Sequence, residues 1–364
     1  MKNRIGGFFE FNNESLTLKE NYLFNNSKKV ENTYFTDSSR SSLNIILKTL
    51  SSIPNKEILL PDYCCIPGIM PTIISNKFEF KFYNIDELEI NDEIILKEIT
   101  SKTSIIILCN YFGLFHQYKC AEKIKKSFPK ISIILDSAVD AYSILDSKFK
   151  NNFIDYEFTS LNKFFCIPDG SILRTKEDIS SEINIIYNGF SDFSLASSVL
   201  MHLSEECAIK DNIYETLSLE LNKIYTEKLN NNVVPRKMSL ISQIIFNFLD
   251  LEKIKKIRRS NYIFFLENLK VNNKVKILKE KLNDNDAPLI FPIEFENQSR
   301  DEIREEMSKK NIFCPVYWPL DKYKGLPIGK FAKSKINNSL GLIIDQRYTD
   351  KELTKIVDIL NKLQ

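Results

Sequence analysis

Between residues 36 and 175 the chain repeats one pattern: a short run of isoleucine, leucine and aromatic side chains, then a segment of helical character. Glu57–Pro61, Phe78–Ile85, Ser104–Asn110, Ile131–Asp136 and Tyr156–Ser160 read as strands, and several are apolar on both faces. A strand without a polar face needs cover on both sides, so such runs belong in a mostly parallel central sheet flanked by helices. Ser41–Leu50, with Asp37, Ser38 and Ser39 ahead of it as capping residues, supplies one intervening helix, and Tyr118–Phe128, closed by Pro129, another. The spacing predicts an α/β fold of βαβ units, with its ligand site beyond the carboxyl ends of the strands.

Residues 176 to 250 read as mostly helical, with Pro235 as a break before the apolar helix Ser239–Leu251. A long helical pattern, Leu251–Leu269, leads into a smaller α+β region. That region has strands near Pro288–Phe295 and Leu340–Ile344, a helix near Arg300–Lys310 and a terminal helix, Asp350–Leu363. At 364 residues the chain is long for one core, which predicts a large domain over 1–250 and a small C-terminal one over 251–364. No repeat or low-complexity linker separates them, so close contact is expected. The 50 basic and 48 acidic residues are interspersed, for a formal charge of +2. That balance gives no reason to expect nucleic acid or a membrane surface as partner.

The seven cysteines, Cys64, Cys65, Cys109, Cys120, Cys166, Cys207 and Cys314, include no CxxC pair, which argues against a zinc or thioredoxin-like centre. Free thiols and the lack of a long apolar run suit a soluble protein of the reducing cytoplasm. The two histidines, His116 and His202, are too isolated for a metal site or a hydrolytic triad, and both are expected to be structural.

Chemistry concentrates at three strand ends. Ile133-Ile134-Leu135-Asp136 closes an apolar strand with an acid, Asp155 to Lys163 runs from a strand into a lysine, and Pro168-Asp169-Gly170-Ser171 forms a turn before Ile172–Thr175. Pyridoxal-phosphate chemistry needs a lysine amine for a Schiff base and an acid that keeps the pyridine nitrogen protonated. Asp136 and Lys163 can meet that demand. The pattern alone equally allows Asp136 as a helix N-cap and Lys163 as a solvated loop residue.

Several segments add a resemblance. Arg4-Ile5-Gly6-Gly7-Phe8-Phe9-Glu10-Phe11 resembles a "GGYFELE" opening, Ser38-Ser39-Arg40-Ser41-Ser42-Leu43 an "SGRxAL" motif, and Leu60-Pro61-Asp62-Tyr63-Cys64-Cys65 an "iPxYxC" motif. Asn110-Tyr111-Phe112-Gly113 matches "NYFG", and Ser160 to Gly170 (SLNKFFCIPDG) is similar to "SxRKFFGVPDG", the most specific piece. Pro315–Leu320 and Ile344–Tyr348 resemble C-terminal motifs of the same group. In this order the segments resemble a branch of the DegT/DnrJ/StrS family of pyridoxal-phosphate-dependent sugar aminotransferases, which have the aspartate-aminotransferase fold type I.

The resemblance implies pyridoxal 5′-phosphate as cofactor, Lys163 as the lysine that carries it and Asp136 as the partner of its ring nitrogen. Ser39 and Arg40, at a helix N-terminus, correspond to the phosphate-binding turn, where amides and the helix dipole favour an anion. Ser160 is a second phosphate ligand, and Cys65 occupies a position that faces the cofactor ring. Tyr111, Phe112, Arg236, Tyr317 and Trp318 fall in segments near the substrate, with Arg236 in one that faces a neighbouring subunit; a homodimer is implied. The implied substrates are a nucleotide-linked keto-sugar and an amino-acid donor such as glutamate, with the product destined for capsule or lipopolysaccharide O-chains.

Three departures stand out. Val139 replaces a glutamine near the cofactor's phenolic oxygen, Cys65 replaces a stacking aromatic, and two residues are missing between Ser160 and Lys163. Tyr111 or Phe112 would restore the lost stacking contact, or would pack in the core. The departures leave open a decarboxylase or lyase on the same scaffold, and a non-enzymatic binding or regulatory relative.

Overall fold

A computed structural model describes residues 4–7, 9, 32–145, 152–182, 189–206, 213–230, 234–270 and 274–363. Phe8, Glu10 and Phe11 of the opening motif, and Cys207, lie outside the described residues. In chain order the strands are β1 (Ile5–Gly6), β2 (Asn32–Thr36), β3 (Glu57–Pro61), β4 (Glu79–Tyr83), β5 (Thr103–Cys109), β6 (Ser132–Ser137), β7 (Tyr156–Thr159), β8 (Ser171–Thr175), β9 (Val275–Ile277), β10 (Phe291–Phe295), β11 (Ile312–Phe313) and β12 (Ser339–Leu342).

Seven of them form the central sheet, in the order β2-β8-β7-β6-β5-β3-β4. The run β4-β3-β5-β6-β7 is parallel throughout. β8 turns back antiparallel to β7, and β2 pairs antiparallel to β8. Burial follows position: Ile105 to Leu108 and Ile133 to Leu135 are wholly buried in the middle of the sheet. β4, at the edge, leaves Glu79, Phe80 and Lys81 exposed on both of its faces. β2 escapes the sequence pattern because Asn-Thr-Tyr-Phe-Thr is short and polar enough to pass for a loop.

The helices begin where their caps dictate. Ser38 Oγ accepts from the amide of Ser41 and starts Ser39–Thr49, two residues ahead of the expected Ser41. Tyr118–Ser127 buries Cys120, Ala121 and Ile124, one stripe of its surface, and leaves its lysines outside. The 190–230 stretch holds the helices Phe190–Glu206 and Ile213–Asn230, as the helical reading predicts.

The C-terminal part has a three-stranded antiparallel sheet, β12-β10-β9, packed by the helices Arg300–Ser308, Lys330–Asn338 and Asp350–Leu363. The helix Leu251–Asn268 precedes it. β1 pairs with β11 at Gly6, where φ is +91° and an added Cβ would lie 2.2 Å from the Phe313 carbonyl oxygen, so only glycine fits. One apolar core runs from Leu43 and Ile107 of the central sheet to Leu353 and Leu360 of the last helix.

Candidate active site

Parallel pairing puts the carboxyl ends of β3, β5, β6 and β7 on one edge of the sheet, and each carries a polar segment beyond its apolar run. Asp136 pairs in register with Cys109 on one side and Phe158 on the other. Its carboxylate is 7% exposed and Oδ1 accepts from the amide of Ala138 at 2.8 Å. Burial pushes this carboxyl above its ordinary range, while the Ala138 amide and the positive charge of Lys163 pull the other way. The aspartate and the lysine therefore lie within each other's field. The Asp136 carboxylate bonds within its own turn while its carbonyl accepts from the Asn110 amide at 3.0 Å, and Lys163 is half-buried.

Lys163 ends a short 3₁₀ turn, Leu161–Lys163, that follows β7. The turn is pinned at several atoms. Leu161 donates its amide to the Gly170 carbonyl at 2.8 Å, the amides of Phe164 and Phe165 both reach the Leu161 carbonyl, and Ser160 Oγ donates to Asn162 Oδ1 at 2.9 Å. Gly170 in turn donates its amide to the Asp37 carbonyl at 2.8 Å, tying the lysine turn to the start of the helix Ser39–Thr49.

That helix start is electropositive. The amides in the first turn of a helix lack intrahelical acceptors. Ser38 takes the amide of Ser41, which leaves Ser39 and Arg40 at the open tip. Arg40 Nε is buried and has no hydrogen-bond partner among the described residues. Burial disfavours the Arg40 charge, and Cys65, Tyr225 and Asp37 nearby favour it. An unsatisfied donor beside free amides suits a phosphate.

Arg236, 4% exposed, belongs to the same end. Its Nη1 lies 3.7 Å from Asp37 Oδ2, its guanidinium covers the Phe190 ring at 4.3 Å, and its backbone exchanges bonds with Asp37 and Ser41.

Cys65 precedes the helix Ile66–Ser75 and is half-buried, close enough to Arg40 and Tyr317 to act on their charges. Tyr111 is wholly buried, its hydroxyl donating to the Tyr63 carbonyl at 2.7 Å and its ring stacked 5.6 Å from that of Tyr63. Phe112, 3% exposed, meets Tyr317 edge-on at 5.2 Å. Tyr317 and Trp318 are half-buried, and Trp318 packs on Tyr63 at 5.1 Å. Of the five residues read as substrate contacts, Tyr111 and Phe112 thus pack in the core, and Tyr317 lines the cavity beside Lys163. Val139 is buried at 3% exposure.

A cavity of about 370 Å³ opens beside Lys163, with Arg258, Leu289, Tyr317, Asp345 and Arg347 among its walls. Arg347 pairs with Asp345 through two bonds of 2.8 Å, which holds that carboxyl below its ordinary range despite burial. Sequence reading passed over Arg258 and Arg347. Arg347 had a signal in the Ile344–Tyr348 motif, whereas Arg258 sits in an unremarkable lysine- and arginine-rich helix. His116 bridges Asp140 Oδ2 at 3.0 Å and Asp286 Oδ1 at 3.2 Å. No cluster of histidine, cysteine and acidic residues able to hold a metal occurs among the described residues.

No family model and no curated protein sequence matches the chain. Solved structures do. A putative sugar aminotransferase from Streptococcus pneumoniae, in its PMP form, aligns over 98% of this chain and 92% of its own, at 16% identity and a TM-score of 0.66. PseC of Helicobacter pylori, an aminotransferase involved in the biosynthesis of pseudoaminic acid, aligns over 96% and 92%, at 15% identity and a TM-score of 0.66. A DegT DnrJ EryC1 StrS aminotransferase from Brucella abortus aligns over 92% and 86%, at 18% identity and a TM-score of 0.57. At these identities the likeness is one of architecture, and it spans nearly the full length of each chain. With its mostly parallel seven-stranded sheet, one reversed strand and C-terminal α+β part, the chain has the type I fold of the pyridoxal-phosphate-dependent transferases.

Proposed function

We propose that the chain is a pyridoxal-phosphate-dependent aminotransferase of the DegT/DnrJ/StrS family. On this reading it transfers an amino group from an amino-acid donor to a nucleotide-linked keto-sugar, works in the cytoplasm as a homodimer, and supplies capsule or O-antigen synthesis. Residues 1–250 form its cofactor-binding domain and 251–364 its small domain. The observation that supports the reading is that Asp136, at the carboxyl end of β6, and Lys163, in the turn after β7, lie within each other's field; the buried Arg40 Nε, without a partner among the described residues, offers a place for the phosphate.

Each residue has a task. The amides of Ser39 and Arg40, with the Arg40 side chain, hold the cofactor phosphate, and Ser160 assists once its hydroxyl leaves Asn162. Asp136 holds the proton on the ring nitrogen. When bound, the cofactor supplies the electron sink that makes a substrate Cα–H bond acidic. Lys163 carries the cofactor at rest and, once displaced, moves the proton at the substrate Cα as general base and acid. Cys65 leaves the ring face without an aromatic plate, and Tyr317 and Trp318 flank the substrate entrance.

Purified protein incubated with keto-sugar nucleotides and glutamate is expected to release 2-oxoglutarate; release of carbon dioxide instead identifies a decarboxylase. Borohydride reduction followed by mass spectrometry is expected to place the trapped cofactor on the peptide containing Lys163. Label on another lysine rules out the site, and a colourless protein with no label favours a non-catalytic relative.

A further inference from the structure

The carbonyl of Phe164, the residue after Lys163, is held by two side chains from far along the chain. Arg258 Nη2 and Gln346 Nε2 each donate to it at 3.0 Å. The two are joined to each other, Arg258 Nε donating to Gln346 Oε1 at 3.1 Å. Arg258 Nη1 then reaches the carbonyl of Leu289 at 3.1 Å and that of Pro288 at 3.4 Å. Three separate segments thus meet on one wholly buried guanidinium. One turn further along the same helix, Asn261 Nδ2 holds the carbonyls of Ile344, Asp345 and Tyr348.

Lys163, Leu289, Asp345 and Arg258 all line the same cavity, so the segments bonded to Arg258 and Asn261 are its walls. Leu289 also donates its amide to the Phe112 carbonyl at 2.8 Å, which extends the frame to the end of β5.

The hydrogen bonds of this cation all go to neutral acceptors, the nearby Asp345 carboxylate favours its charge only in part against burial, and such burial is a poor way to gain stability. A planar fork of five N–H groups, however, can bind acceptors in three directions at fixed angles, and lysine, with three donors on one nitrogen, cannot. We propose that Arg258, together with Gln346, is the positioning residue of Lys163. It fixes the turn Leu161–Lys163 against the cavity walls, so that the amine meets a bound substrate at a set distance and angle. The proposal rests on Lys163 as the working amine of the preceding section.

Arg258→Lys and Gln346→Ala test it by two readouts. In hydrogen exchange, the amides of Phe164, Phe165 and Ile167 are expected to exchange about tenfold faster, with β10 and β12 unchanged. In steady-state kinetics, kcat is expected to fall about 10- to 100-fold with the donor KM held within about twofold, since misplacing the amine impairs the reaction and not ground-state binding. Exchange at the wild-type rate in Gln346→Ala, or a raised KM with kcat intact, overturns the proposal. If Arg258→Lys fails to fold, Gln346→Ala decides alone. If the chain proves not to be an aminotransferase, exchange still decides: faster exchange upholds the clamp, and unchanged exchange removes it.

Discussion

Asp136 sits where ionisation is disfavoured, and the nearby charge of Lys163 offsets that cost only in part, since the carboxyl still titrates above its ordinary range. A carboxyl raised in the folded state gives its stabilisation below the unfolded pKa of 3.8 and loses it as pH rises through the folded value. At neutral pH the cofactor-free protein therefore bears the penalty. Asp136→Asn is expected to raise the melting temperature of the cofactor-free protein at pH 7, and at the same time to lower kcat by about 100-fold or more. An unchanged melting temperature would remove the electrostatic account of this residue. Asp136, at the end of an apolar run, and Lys163, shortly after a strand, were candidates in the sequence through their places at strand ends and through the motif resemblance. Arg258 was not, because a buried arginine in a helix of lysines and arginines looks like any solvated one until its acceptors arrive from residues 164, 288, 289 and 346.

Two elements place groups that the proposed site would use. The helix Ser39–Thr49 has open amides in its first turn and, at Arg40, a buried Nε without a partner among the described residues. Arg40→Gln is expected to weaken pyridoxal phosphate binding by about 10- to 100-fold, the effect of losing one charge-assisted hydrogen bond. Affinity for pyridoxal, which lacks the phosphate, should stay the same; equal losses for both ligands would place Arg40 away from the phosphate. The second element is the turn after β5. Gly113 has φ of +69°, and an added Cβ would lie 2.1 Å from the Ala287 carbonyl oxygen, in a stretch where Ala287 and Leu289 donate to the carbonyls of Gly113 and Phe112. Gly113→Ala is expected to cost at least about 1–3 kcal/mol in chemical denaturation, because it combines backbone strain with a lost pairing. The caps of the first helix were readable from Asp37, Ser38 and Ser39, whose short polar side chains act locally. The partner of the β5 turn was not, since it lies more than 170 residues away.

Over the whole molecule the central sheet and the C-terminal part are joined through buried polar groups as well as through the common core. His116 stands between Asp140 and Asp286, which are 1% and 0% exposed, with Lys279 Nζ 4.0 Å from Asp286 and Tyr118 stacked beside the imidazole. Burial opposes the imidazolium, yet the two carboxylates outweigh it and push the histidine up to about 10. Its stabilisation is complete below the unfolded value of 6.5 and is lost as pH rises through about 10. Urea midpoints are expected to fall between pH 8 and 10 in the wild type, with that part of the slope missing in His116→Gln; a slope retained in the variant would assign it to other groups. The sequence determined the architecture by itself, because strand, helix and cap depend on neighbours within a few residues and on whether a run is apolar on one face or two. It also singled out one acid and one amine, each near a strand end, for the proposed cofactor chemistry. Only the tertiary structure decided which of the fifty basic side chains face the site, which aromatics are buried in the core, and that one guanidinium ties three remote segments around Lys163. Those outcomes depend on contacts between residues far apart in the chain, and no local pattern records them.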